Sequence, residues 1–284
     1  MAAERLGEAP GAAAVVDPEL EPMELARFCI DGLLLLERCV RSELNAAVLE
    51  DLRSYQGDKN RFWFASAAVQ EAFAEERLAA VVAALLGRDP GYDHSSVHLT
   101  PAGFPWAQPW HQDSLIEVRE WAFDLLLFYF PQDTTAEMGA TLVLPGSHLR
   151  RVSNRSLARH HGFRGQRRLA CPAGSVALAH GGLWHCGQPN WSATDRYMVK
   201  LRLRPGGSQR GAAAAFGRAT AEVHSAFCAS EHPWQGTEAG VDQVGYARLW
   251  RYLGGEGDVA PEGYLTRTGL DPVGERGSSS EPTS

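Results

Sequence analysis

Residues 121–130 read WAFDLLLFYF, an apolar run that stops at Pro131. It belongs to a series. Beyond residue 91 come SSVHL (95–99), ATLVL (140–144), RRLAC (167–171), SVALA (175–179) and YMVKLRL (197–203), short apolar or alternating runs set apart by Gly and Pro turns. Strands at this spacing, with this punctuation, predict a β-sandwich or barrel. Upstream the texture is helical. Apolar residues recur at helical spacing over 41–54 (Leu44, Val48, Leu52) and over 67–86 (Val69, Phe73, Leu78, Val81, Leu85). Gly87 and Pro90 stop the second helix. Residues 22–29 predict a short helix, and Asp31-Gly32 a turn into a buried strand. Residues 219–230 and 237–254 return to a helical pattern and are expected to cover the barrel. No linker separates a second domain. The expectation is a mainly β domain with flanking helices over 21–270, between a flexible N-terminus (1–20) and a disordered tail (271–284) rich in Gly, Ser and Pro.

With 284 residues and 44% hydrophobic content the chain can bury a substantial core. A formal net charge of −7 does not suggest a nucleic-acid or anionic-membrane partner. No apolar run reaches about 18 residues, so no spanning helix is expected. The first twenty residues lack a basic region followed by an apolar core, so they do not read as a secretory signal. The five cysteines are scattered and form no CxxC pair, which argues against a disulfide framework or zinc knuckle and fits a reducing cytoplasm. Charge is uneven along the chain. No carboxylate falls between Glu137 and Asp195, whereas Arg150, Arg151, Arg155, Arg159, Arg164, Arg167 and Arg168 do. This stretch reads either as a solvated basic loop or as a patch for an anionic or carrier-linked small-molecule substrate.

Two segments carry chemistry. PWHQDS (109–114) sets His111 and Asp113 two residues apart, on one face if the segment is a strand. GSVALAHGGLWHCGQPN (174–190) is a strand followed by a turn with two more histidines. A third ligand would complete two His and one Asp, the facial triad of non-haem Fe(II) oxygenases. His180 ends the strand, His185 lies in the Gly-rich turn, and His148 of PGSH is a third candidate; spacing does not choose among them. Arg196 opens an alternating strand. A buried arginine needs an anion, since its charge cannot be neutralised. That anion is either a side chain such as Asp124 or Asp195, or the distal carboxylate of a bound diacid held bidentately. Alternation also sets Met198, Lys200, Arg202 and Arg204 on the Arg196 face, so either only the start of that face lines the barrel or a bulge intervenes.

The ordered set HQD (111–113), EMGATLVLPGSH (137–148), AHGGLWHCGQPN (179–190) and Arg196, with eleven residues from His185 to Arg196, resembles the phytanoyl-CoA dioxygenase family of Fe(II)/2-oxoglutarate oxygenases. FCIDGLLLLERCV (28–40) resembles that family's first helix and strand, and the likeness spans roughly 25–205. The resemblance implies a double-stranded β-helix, or jelly-roll, core in a single domain. It selects His185 rather than His180 as the third iron ligand beside His111 and Asp113. It assigns Arg196 to the C5 carboxylate of 2-oxoglutarate, with Thr141 and His98 as further cosubstrate contacts, and leaves His148 structural. Gln112 and Trp110 would shape the pocket, and Phe62, Trp63, Phe64, Phe104, Trp106 and Trp184 could line it. Relatives carry Ser two residues past the distal His; this chain has Gly187, so one cosubstrate hydrogen bond must come from Thr141 or water. Because the carboxylate ligand is present as Asp113, the family reading favours hydroxylation of an aliphatic C–H, with dioxygen consumed and succinate and CO2 released, over halogenation. The competing readings are a cupin-like isomerase or dioxygenase that needs no 2-oxoglutarate, and a binding protein without catalysis on the same scaffold.

Overall fold

The structure, a computed structural model, describes residues 20–114, 121–216, 219–229 and 237–255. The expected 271–284 tail and the N-terminal segment up to residue 19 lie outside them; Leu20 is buried in the core. In chain order the elements are α1 (Pro22–Asp31), β1 (Leu33–Leu36), α2 (Ser42–Ser54), α3 (Phe62–Ala65), α4 (Ala67–Phe73), α5 (Glu76–Leu86), β2 (Gly91–Thr100), β3 (Leu125–Phe130), β4 (Leu142–Leu144), α6 (Asn154–Leu157), β5 (Arg167–Arg168), β6 (Ser175–His180), β7 (Trp184–Cys186), β8 (Arg196–Arg204), α7 (Ala221–Ala229) and α8 (Thr237–Gly254).

The strands form two antiparallel sheets, one of five strands in the order β1-β6-β3-β8-β2 and one of three in the order β5-β4-β7. This is the expected jelly-roll, built by side-chain alternation. Along β3, Leu125, Leu127 and Tyr129 join the helical core, while Leu126, Phe128 and Phe130 join Val143 of the smaller sheet. β6 divides likewise: Val176 and Leu178 face the helices, Ala177 and Ala179 face inward. On β8, Val199, Leu201 and Leu203 face the helices, and Met198 faces the space between the sheets. The 121–130 run is therefore continuous because β3, central in its sheet, is buried on both faces. No β3 residue is more than 1% exposed. Each such side chain contributes about 1.5–3 kcal/mol on burial, so a one-residue slip, which would exchange the two faces, is strongly disfavoured.

α1 begins with a capping box between Glu21 and Glu24 and has Pro22 in its first turn. It packs against both α7 and α8, and α8 also reaches the segment after β4, where Asp242 pairs with Arg150 at 2.6 Å. The helix expected over 67–86 is two helices. α5 restarts at Glu75, whose backbone is extended, and the break lets Glu75 meet Arg41 at 3.1 Å and Arg77 meet Glu24 at 2.5 Å. The strand reading of RRLAC survives only at Arg167–Arg168, and that of 121–130 only from Leu125. None of the five cysteines is joined in a disulfide. Among the described residues no helix is long and apolar enough to cross a membrane.

Candidate metal centre

His111, Asp113 and His185 converge although 74 positions separate the first from the last. The join is a backbone bridge: His111 N–H donates to the His185 carbonyl at 3.1 Å and His185 N–H to the His111 carbonyl at 2.9 Å. His111 is thus strand-like, whereas Asp113 lies on a bend, so the expected common strand face holds only for the histidine. The imidazoles sit with centroids 4.3 Å apart. One ligand-capable atom from each of the three residues lies within 4.8 Å of the others. Among the described residues this is the one such group of three. Asp113 Oδ1 is 3.9 Å from His111 Nε2, and its Oδ2 is 4.0 Å from His185 Nε2.

The tautomers follow from the backbone. His111 Nδ1 lies 2.8 Å from the Pro109 carbonyl and His185 Nδ1 lies 2.9 Å from the Leu183 carbonyl. A carbonyl only accepts, so both Nδ1 atoms carry the proton and both Nε2 lone pairs are left to face Asp113. Burial, then the neighbouring His111, pushes the His185 pKa down to about 4, which keeps the ring neutral at physiological pH. At Asp113 burial works toward the neutral acid. The imidazolium form that His185 takes in acid and the Lys200 ammonium outweigh it and hold the carboxyl down to about 2. Two free imidazole nitrogens and an ionised carboxylate are a donor set for a divalent transition metal with open coordination positions.

His148 and His180, the other candidates, stand elsewhere. The His180 ring packs on Phe123 and His148, and its Nδ1 accepts from the Gly182 N–H at 3.0 Å. Gln112 is pinned to the 152–154 loop, accepting from and donating to Asn154 through its backbone and donating from Nε2 to the Val152 carbonyl. Neither Gln112 nor Trp110, expected to shape the pocket, is among the residues lining the cavity beside the triad; Trp110 packs with Leu142 and Trp184.

Beside the triad lies a cavity of about 330 Å³ whose lining includes His98, Thr141, His111, His185, Arg196 and Lys200. Arg196 is 3% exposed. Both carboxylates considered as its structural partners are engaged elsewhere: Asp124 takes Arg202 at 2.5 Å, and Asp195 accepts from the Ala102 N–H at 2.8 Å. Arg196 instead donates to Thr100 Oγ1 at 2.8 Å and to the Gly139 carbonyl, and its Nε has no partner among the described residues. Burial without a counter-charge lowers its pKa to about 10. Gly139 enables this contact. Its φ is +76°, and a Cβ there would lie 2.4 Å from the carbonyl oxygens of Gln188 and Pro189. His98 sits opposite Met198 in the β2/β8 ladder; burial and then the charges of Lys200 and Arg196 depress its pKa to about 4.

Three features were not foreseen. Lys200 reaches the triad, with Nζ 3.0 Å from Asp113 Oδ2. Alternation alone carried the signal, since Arg196, Met198 and Lys200 all line the cavity and the β2/β8 register shifts only between Tyr92 and His94, beyond these residues. Second, Gly187 makes room for Gln108, whose Oε1 accepts the Gly187 N–H at 3.0 Å. Third, of the six aromatics expected around the pocket only Phe104 and Trp106 line it, joined by Phe128. Phe62, Trp63 and Trp184 are packed in cores, and Phe64 is exposed. The arginine-rich stretch is largely a solvated surface: Arg150 pairs with Asp242 at 2.6 Å and Arg167 with Asp31 at 2.9 Å, while Arg151, Arg155, Arg159, Arg164 and Arg168 are exposed.

The phytanoyl-CoA dioxygenase family model matches residues 11–198 of this chain. No curated protein matches it. Among solved structures, the fold is similar to EctD from S. alaskensis, determined with 2-oxoglutarate and 5-hydroxyectoine (21% identity, 70% of this chain and 81% of that one, TM-score 0.55). It is similar to HygX from Streptomyces hygroscopicus, determined with nickel and 2-oxoglutarate (15%, 66% and 87%, TM-score 0.56). A third is the non-heme alpha-ketoglutarate-dependent carbocyclase SnoK from nogalamycin biosynthesis (15%, 68% and 87%, TM-score 0.55).

Proposed function

The chain belongs to the phytanoyl-CoA dioxygenase family, and from that premise we propose that it is an Fe(II)- and 2-oxoglutarate-dependent oxygenase that hydroxylates an aliphatic C–H bond of a small organic molecule. The observation that carries the reading is one cavity lined by His111, His185 and Arg196, with Asp113 completing the donor set beside it and no carboxylate among the described residues paired with the buried arginine. His111 Nε2, His185 Nε2 and an Asp113 carboxylate oxygen would hold the metal, because their protonation states suit a divalent cation before it arrives. When bound, ferrous iron supplies dioxygen activation, with 2-oxoglutarate as the two-electron donor that ends as succinate and CO2.

The protein's own part is orientation. Carbonyl contacts at both Nδ1 atoms fix the ring planes. Arg196, held by Thr100 and Gly139, presents its guanidinium to the distal carboxylate of 2-oxoglutarate. Thr141, just before β4, and His98 on β2 line the same cavity and would be the further contacts of 2-oxoglutarate. Gln108 occupies the space above Gly187 and takes the role of a polar contact there. Phe104 and Trp106 form the mouth, which an apolar part of the substrate would close against water.

A cupin-like enzyme without 2-oxoglutarate would leave Arg196 buried and uncompensated, a costly arrangement with no purpose. The test is anaerobic reconstitution with Fe(II), then addition of 2-oxoglutarate and dioxygen, with succinate measured. Succinate is expected only with iron present and not from D113A; succinate formation by D113A at the parent rate would refute the assignment. The class of reaction is read from product mass, gain of one oxygen for hydroxylation against loss of two hydrogens for ring closure.

A further inference from the structure

We infer that Lys200 is the seat for a carboxylate carried by the organic substrate, so that this oxygenase selects anionic substrates inside the metal pocket; the inference rests on the function proposed above. The inner face of β8 presents Arg196, Met198 and Lys200 in order, opposite Thr100, His98 and Ser96 of β2. Two cations thus stand on one side of one cavity, with Lys59 at its rim. Among the described residues lining that cavity there is no Asp or Glu; Asp113 stands beside it. The carboxylate that meets Lys200 is Asp113, 3.0 Å away, and the Lys200 side chain is only 12% exposed.

Charge counting makes this arrangement informative. A dication in the triad claims Asp113. The two negative charges of 2-oxoglutarate, added to Asp113, cancel the dication and Arg196 together. Lys200 is then left over: a nearly buried ammonium that shares its one anionic contact with a metal ion, and whose repulsion by that ion is strong at such range. A further anion restores neutrality. His98 does not provide it, because a histidine is neutral or cationic and never anionic. Among the described residues lining this cavity there is no arginine of the basic 150–168 stretch. A carboxylate on Lys200 would place the adjoining carbons of the substrate beside the triad, with the apolar remainder running toward Phe104 and Trp106. Lys200 is therefore a specificity-determining residue.

Two carboxylates could meet Lys200: that of the substrate and the C1 carboxylate of 2-oxoglutarate. The experiment separates them. The anaerobic Fe(II)–2-oxoglutarate complex has a visible charge-transfer band, and groups entering beside the metal perturb it. Butyrate is titrated against it, with butyramide as the uncharged match, in the parent, K200M and K200R; 2-oxoglutarate affinity is measured calorimetrically on the Ni(II)-loaded proteins. Butyrate is expected to shift the parent band and butyramide not to. K200M should weaken the butyrate response by about tenfold or more while leaving 2-oxoglutarate affinity within about twofold, and K200R should recover part of it. Equal responses to butyrate and butyramide, or a butyrate response unchanged in K200M, would overturn the inference. So would a loss of about tenfold in 2-oxoglutarate affinity in K200M, which would give Lys200 to the cosubstrate instead. Absence of any charge-transfer band in the parent protein would count against the proposed function itself, a different result from any of these.

Discussion

Replacing Arg196 by methionine separates a cosubstrate clamp from a structural arginine, because the two roles predict opposite pairs of results. The side chain is 3% exposed, so solvent screens it little. Removing one partner of a buried, hydrogen-bonded charge pair costs about 2–5 kcal/mol, which corresponds to a loss of about 30- to 5,000-fold in 2-oxoglutarate affinity. The protein without ligand should respond quite differently. R196M gives up the hydrogen bonds to Thr100 and the Gly139 carbonyl, at about 0.5–1.5 kcal/mol each. It also removes a buried charge with no carboxylate partner, whose cost is visible in the depressed pKa of about 10. These effects oppose one another, and the net change in folding stability should stay within about 1 kcal/mol, or about 2–4 °C in Tm. Calorimetric titration of 2-oxoglutarate into Ni(II)-loaded protein and thermal unfolding of the metal-free protein measure the two quantities. A collapse in Tm with 2-oxoglutarate affinity unchanged would make Arg196 a structural residue and refute the reasoning.

Other consequences follow from the same geometry. H185A should abolish metal binding and succinate formation, whereas H180A, whose ring packs on Phe123 and His148, should retain both at reduced stability; equal loss of metal in the two, by calorimetry, would undo the choice between them. G139A should destabilise the protein by about 2 kcal/mol or more through its positive φ and the clash with Gln188 and Pro189, and should weaken 2-oxoglutarate binding by moving the carbonyl that holds Arg196; denaturant midpoints at constant m measure the first effect. Stability of the metal-free protein should fall with acid in two stages. The His98 and His185 pKa values drop from 6.5 to about 4 on folding, so between those limits the unfolded chain binds more protons, and stability present above pH 6.5 is lost as pH falls toward 4. Asp113, lowered from 3.8 to about 2, adds a contribution that is present above 3.8 and lost toward 2. Urea unfolding across that range should show a shallower slope for H98Q than for the parent.

Much of this could be read in the chain because it depends on local periodicity. The alternation that makes β3, β6 and β8 two-faced is written in consecutive residues, and so was the face that carries Arg196. What the alternation could not supply was its limit. Nothing local says that Lys200 still lies within the barrel while Arg202 has reached Asp124. The choice of His185 over His180 came from a likeness to known sequences: His180 ends β6, His185 lies on β7 rather than in the expected turn, and the bridge to His111 tells them apart. Gln108 filling the gap at Gly187 joins residues 79 positions apart, a contact no spacing announces. Aromatic residues misled for the opposite reason. Phe62, Trp63 and Trp184 satisfy burial equally well in a core or in a pocket, and composition does not distinguish the two.

The central claim is that one metal ion is shared by His111, Asp113 and His185 while Arg196 holds the far end of 2-oxoglutarate. Anomalous diffraction from crystals grown without oxygen, with Ni(II) and 2-oxoglutarate, addresses it directly. The account predicts a single strong peak within bonding distance of both Nε2 atoms and one Asp113 oxygen, with the distal carboxylate of 2-oxoglutarate on the Arg196 guanidinium. A peak bound to His148 or His180 instead, or 2-oxoglutarate lying away from Arg196, would contradict it.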